Sequence, residues 1–165
     1  MKADNIEKLF VNELKDLYSA EKQITRALPK MSKAATTDEL RTAFESHLKE
    51  TEGQIERLDR VFEILGKTAT GKTCQGMKGL LEEGAETMEE TEEGEIRDAA
   101  MIGAAQRVEH YEIAAYGTVR TIAELLNQSE IAKLLQQTLD EEGNIDKKLT
   151  QIASKVNKQV QRQAA

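Results

Sequence analysis

Three glutamates, Glu21, Glu112 and Glu142, stand where amphipathic helices should be apolar. Between Asp4 and Met31, Ile6, Phe10, Leu14, Leu17, Ile24 and Leu28 recur at the three-and-four spacing of one helix face. At about 100° per residue, Glu21 projects near the centre of that stripe. Glu112 falls within the stripe of Met101, Ala105, Val108, Tyr116, Val119 and Ala123, and Glu142 within that of Ile131, Leu135, Leu139, Leu149 and Ala153. A carboxylate ionised in an apolar interior is costly, so it is protonated, paired with a basic side chain, or bound to a metal. Lys22, Lys30, Lys133 and Lys147 fall off the stripes, which leaves a metal cation as the more economical partner.

The segments that must position these acids are all helical. Asp4 with Glu7 has capping-box spacing for a first helix running to about Ala34, with Pro29 in its last turns. Thr36 with Glu39 repeats the signal for a second helix, which Gly66 closes. From Gly66 to Gly94 lies a long connection in which Cys74 to Glu90 holds a short helix around Met77, Leu80, Leu81 and Met88. A third long helix covers Glu95 to Leu126. Asn127 ends it, and Ser129 starts a fourth that runs to about Val156. Residues 1–157 therefore read as one all-α bundle and residues 158–165 as a polar C-terminal tail. Short loops force antiparallel neighbours within each helix pair, whereas the long connection carries the chain back along the bundle. Two antiparallel hairpins joined by such a crossover make the ferritin-like form of the four-helix bundle.

Composition narrows the function. The chain has 165 residues, one proline, 4% aromatic residues and no tryptophan, so one domain with an aliphatic core is expected. A net charge of −7, with no basic cluster interleaved with aromatics, argues against DNA or RNA binding. The single cysteine, Cys74, excludes an intrachain disulfide and a cysteine-rich zinc site. Met1 to Glu7 has no signal-peptide character and no apolar run approaches the ~20 residues of a membrane span. A cytoplasmic protein without a membrane partner is expected.

The helices also correspond in pairs. Glu50 and Gln54 in the second stand in the four-residue relation of Glu142 and Asp146 in the fourth, and Tyr18 and Glu21 in the first match Glu109 and Glu112 in the third. A pseudo-twofold set of four glutamates with auxiliary ligands is the pattern of dinuclear carboxylate bundles. Glu21, Glu50, Glu112 and Glu142 would neutralise two divalent cations, with Glu109 and Asp146 as further ligands and His47 and Gln54 behind them. Oxygen donors suit iron or manganese, although magnesium and calcium accept them as well. Tyr116, one turn from Glu112 on the same face, is the candidate catalytic side chain. His110 points away from its stripe, Cys74 has no resolving partner, and Met77, Met88 and Met101 read as packing residues.

Four strings carry a family resemblance: Asp-Leu-Tyr-Ser-Ala-Glu-Lys-Gln (Asp16 to Gln23), His-Leu-Lys-Glu-Thr-Glu-Gly-Gln-Ile-Glu-Arg-Leu (His47 to Leu58), Glu-His-Tyr-Glu-Ile-Ala-Ala-Tyr-Gly-Thr (Glu109 to Thr118) and Glu-Glu-Gly-Asn-Ile-Asp-Lys-Lys-Leu (Glu141 to Leu149). Over nearly its whole length the chain resembles the YciF family of bacterial ferritin-like proteins. The resemblance implies a ferritin-like bundle, a homodimer, a dinuclear metal site and a role in stress response. The chain departs from the wider ferritin and rubrerythrin pattern of Glu-x-x-His on two helices, because Gly53 and Ile145 occupy the histidine positions after Glu50 and Glu142. Two functions are consistent with these features. One is a di-metal oxidoreductase reacting with hydrogen peroxide or dioxygen; the other is a non-catalytic stress protein whose metal only stabilises the bundle.

Overall fold

The computed structural model describes residues 4–163, which form five helices and, among the described residues, no strand. They are α1 (Ile6–Ala34), α2 (Asp38–Leu65), α3 (Gln75–Glu90), α4 (Glu95–Leu125) and α5 (Ser129–Gln163). Four are long, and α3 lies in the crossover between α2 and α4. The expected helix boundaries hold to within a residue or two except at the C-terminus. There Ile152, Val156 and Val160 continue the buried stripe at four-residue spacing, so the polar segment after Val156 is helical to Gln163. Ala164 and Ala165, in the expected tail, and Met1 to Ala3 lie outside the described residues.

Two caps differ from expectation. At α1 the cap is Asn5, whose side-chain oxygen accepts from the Lys8 N–H at 2.9 Å, while Asp4 pairs with the Lys8 ammonium at 2.8 Å. At α2, Thr37 is the N-cap but makes no side-chain bond. Its work is done from a distance: the buried carboxylate of Asp98, in the first turn of α4, accepts the N–H groups of Thr36 and Thr37 at 2.8 Å each. The donors left orphaned at the α1–α2 turn are thus satisfied by another helix. Gly66 does close α2, adopting φ 61° while its N–H and that of Lys67 return to the last-turn carbonyls. A side chain there would be strained in this left-handed conformation.

The core has three layers. One apolar cluster joins Ile24 and Leu28 to Leu40, Phe44, Met101 and Leu149. The other joins Phe10 and Leu14 to Leu58, Val61, Val119 and Ile131. The second half of α1 therefore meets the first halves of α2 and α4 and the second half of α5. It follows that α1 runs antiparallel to both α2 and α4, and that α2 and α4 run in the same direction. This is the connectivity a long crossover requires. Between the two apolar clusters the four long helices contribute a layer of buried polar side chains: Glu21, His47, Thr51, Gln54, Glu109, Glu112, Thr138 and Glu142.

Candidate metal centre

Each member of the polar layer is placed by the helical repeat that buries its apolar neighbours. Glu21 lies between Leu17 and Ile24 on α1, and Glu112 one turn before Tyr116 on α4. One ligand atom from each of His47, Glu109, Glu112 and Glu142 lies within 4.8 Å of the others. All four side chains are buried, so the group draws on α2, α4 and α5 at once.

Hydrogen bonds fix some of these groups and leave others bare. Tyr116, fully buried, donates its hydroxyl to Glu21 Oε1. The Gln54 amide donates to Glu142 Oε1 and, at 3.1 Å, to Glu141 Oε2. Glu141 is itself held by two bonds from Arg57 at 2.8 and 3.0 Å, and Arg57 also donates to Thr138. Against this scaffold, Glu21 Oε2, Gln54 Oε1, Glu109 Oε2, both oxygens of Glu112 and Glu142 Oε2 have no hydrogen-bond partner. Both ring nitrogens of His47 are likewise bare. Its Nε2 lies 3.3 Å from Glu109 Oε1, close enough for attraction yet misaligned for a hydrogen bond. Buried polar atoms are nearly always partnered, and such a concentration of bare oxygen and imidazole donors is the environment a metal ion satisfies. The donor set therefore fits a metal, and the cluster could hold one.

The electrostatics agree. Burial pushes the Glu21 carboxyl up to about 8, with repulsion from Glu142 adding to it. Burial likewise raises Glu109 to about 7. Glu112 and Glu142 are raised well above the usual carboxylate range, first by desolvation and then by neighbouring acids. Lys22, Lys30, Lys133 and Lys147 are all exposed, as their position off the stripes requires, so none of them neutralises the layer. Without a cation these acids must hold protons to remain buried.

The residues singled out from sequence divide into two groups. Glu21, His47, Gln54, Glu109, Glu112, Tyr116 and Glu142 are all in the buried layer. Glu50 and Asp146 are half-buried at its margin, near enough to raise Glu109 further. Asp146 accepts from Gln106 at 3.0 Å and lies 3.3 Å from the exposed His110, whose side chain is 70% accessible. On α2 His47, named behind Glu50 in the expected ligand set, is buried, whereas Glu50 is half-buried. Thr138 and the Arg57–Glu141 pair were not apparent from sequence, although the adjacent acids Glu141 and Glu142 and the spacing from Gln54 to Arg57 were available as signals. Cys74 is also better integrated than expected. It is buried, caps α3 by accepting from the Met77 N–H at 3.3 Å, and lies 3.0 Å from the Tyr111 hydroxyl. That hydroxyl donates to Asp16 at 2.8 Å. Gly76 makes the contact possible, because a Cβ there would lie 2.7 Å from the Tyr111 ring.

The chain matches the family model described as "Domain of unknown function (DUF892)" over residues 5–165. It is 50% identical to protein YciF of Escherichia coli strain K12, across 99% of this chain and all of that protein. The crystal structure of the E. coli stress protein YciF superposes with a TM-score of 0.92, covering 94% of this chain and 99% of the other. YcfI from Rhodopseudomonas palustris, 44% identical, gives 0.87 over 91% and 97% of the two chains. A ferritin-like, diiron-carboxylate protein from Bacillus anthracis shares the fold at 17% identity, with a TM-score of 0.70 over 92% of this chain and 99% of that one.

Proposed function

Given that the chain belongs to the YciF family of ferritin-like proteins, we propose that it is a dinuclear iron or manganese protein of the stress response that consumes hydrogen peroxide or dioxygen. The observation that supports this most is the convergence of His47, Glu109, Glu112 and Glu142 within 4.8 Å, with most of their donor atoms bare. Glu21 adds a fourth carboxylate, so the inner acids carry the charge to balance two divalent ions. Glu50 and Asp146 stand at the margin as further donors. Bound iron or manganese would supply electrons to the oxidant and provide open positions for it.

The chain's own residues do the rest. Tyr116 fixes Glu21 by donating to one oxygen and leaving the other without a partner. Gln54 fixes Glu142 in the same way and is itself anchored through Glu141 and Arg57. The outer groups thereby set which oxygens remain for a cation. Apolar layers above and below exclude water, which strengthens the interaction of these acids with any cation among them. A purely structural metal is the second reading, favoured by the way the cluster ties three helices together.

The two are separated by one experiment. Protein purified without a chelating tag is analysed for metal and then mixed in the reduced state with hydrogen peroxide in a stopped-flow spectrometer. Oxidation faster than that of free metal supports the redox reading. In Glu112→Gln/Glu142→Gln, stoichiometric metal should be lost while the far-ultraviolet dichroism stays helical. Unchanged metal content in that variant would overturn the site.

A further inference from the structure

Beside the acid layer lies a cavity of about 150 Å³ walled by Ile24, Leu28, Phe44, Ala105, Val108 and Leu149. His47 and Glu109 form part of its lining. Both are more than nine-tenths buried, and the two nitrogens of His47 and Oε2 of Glu109 have no hydrogen-bond partner. Exposed Asn144 and Lys148 mark where the cavity meets solvent. A second cavity of about 290 Å³, beside α3, shares Ala27, Met31, Leu81 and Val108 with the first. The two cavities thus share a wall between the crossover helix and the acid cluster.

Hydrogen peroxide does not account for that shape. Peroxide is small and polar, gains nothing against Leu28 and Phe44, and would leave most of the volume empty. A cavity of roughly 150 Å³ with Leu, Ile and Phe in its walls has room for a molecule the size of benzene. An occupant with a ring or branched alkyl body and one polar head would match both the apolar walls and the bare donors at one side. We propose that this chamber seats the apolar body of an organic hydroperoxide, with its peroxide group toward His47 and Glu109. The substrate then is an alkyl or aryl hydroperoxide in preference to hydrogen peroxide.

The reaction part of this proposal rests on the redox reading above; the binding part does not. In the reaction, ROOH takes up two electrons and two protons, the O–O bond breaks, and ROH and water leave. The reduced metal pair that the acid layer would hold would supply the two electrons, and water at the polar mouth the two protons.

The test begins with metal-free protein, kept in its native oligomeric state. Methyl-labelled protein is titrated with 2-phenyl-2-propanol, the unreactive alcohol with the carbon skeleton of cumene hydroperoxide. Saturable shifts at the methyls of Ile24, Leu28 and Leu149 are expected, and they should vanish in Ala105→Leu and in Ala27→Phe, the second at a half-buried position tolerant of a larger side chain. Dichroism confirms that each variant is folded. Protein loaded with reduced metal should then be oxidised, in a single turnover, at least about tenfold faster by cumene hydroperoxide than by hydrogen peroxide at equal concentration, and the ratio should fall toward unity in Ala105→Leu. Absence of saturable shifts at the chamber methyls overturns the proposal while leaving turnover of hydrogen peroxide, and with it the redox reading, intact. Binding without turnover of either peroxide overturns the redox reading and the hydroperoxide reaction together, and leaves only a site for an apolar ligand.

Discussion

Stripping the metal should make this bundle sensitive to alkali in a way that its surface charges do not. In the metal-free fold, burial pushes Glu21 up to about 8 and Glu109 to about 7, from an ordinary value of 4.5. The folded chain thus binds protons that the unfolded chain has released. A raised folded value contributes stability that is complete below the unfolded value, about 4.5, and is lost as pH rises through 7 and 8. A tenfold change in proton affinity is worth about 1.4 kcal/mol, so the two residues together contribute on the order of 5 kcal/mol once their coupling is discounted. Total stability for a domain is about 5–15 kcal/mol, so the loss is a large fraction of it. Urea unfolding of chelator-treated protein, followed by dichroism from about pH 5 to pH 8.5, should show the midpoint falling by about 2 M, given a slope of roughly 1–3 kcal/mol/M. Saturating manganese should remove that trend, because metal binding takes the carboxylates in their ionised form. Glu21→Gln/Glu109→Gln, whose amides do not titrate, should lessen the trend and leave the part that Glu112 and Glu142 contribute. A metal-free midpoint that stayed level or rose over this range would refute the inference that these acids are buried without cationic partners.

Three further outcomes are expected. Tyr116→Phe removes the bond that fixes Glu21 and should weaken metal binding by about 10–100-fold in a chelator competition; unaltered affinity would show that Tyr116 does not position the ligand. Asp98→Ala deprives two backbone N–H groups of their acceptor and should cost about 3 kcal/mol in urea unfolding, with a loss below about 1 kcal/mol counting against its capping role. Light scattering should give about 37 kDa, twice the chain mass of 18.4 kDa, for the homodimer we propose; a strict monomer or a large cage would contradict it.

The architecture was legible because the buried stripes repeat at the helical period and the punctuation is local. Gly66 and Asn127 mark helix ends by adopting left-handed backbone conformations, φ 61° and 57°, that glycine and asparagine tolerate best. The inner acids were legible for the same reason, since Glu21, Glu112 and Glu142 interrupt stripes whose other members are unambiguous. His47 and Glu50 are three residues apart on one flank of α2, and which of them turns inward depends on how α2 is rotated against α4 and α5. The cap supplied by Asp98 was hidden for a related reason, because the donors it serves lie some sixty residues earlier in the chain. The end of α5 was obscured by composition: Gln, Lys and Asn surround Val156 and Val160, and two valines in a polar segment are a weak signal until Ile152 is seen to bury in line with them.

The division of the core into two apolar ends with the acids between them separates folding from metal acquisition. Each end closes on contacts drawn from all four long helices and on none of the candidate ligands, so the apolar packing is complete without an ion. Under the proposed function, an ion would meet donors that this packing already positions. Intrinsic affinity for oxygen and imidazole donors follows a fixed order among the divalent metals that no rearrangement of these side chains reverses. Under the proposed function, the metal in the protein would therefore report what the cell made available when the chain matured, and the same sequence recovered from iron-rich and manganese-rich cultures should carry different metals in the same bundle.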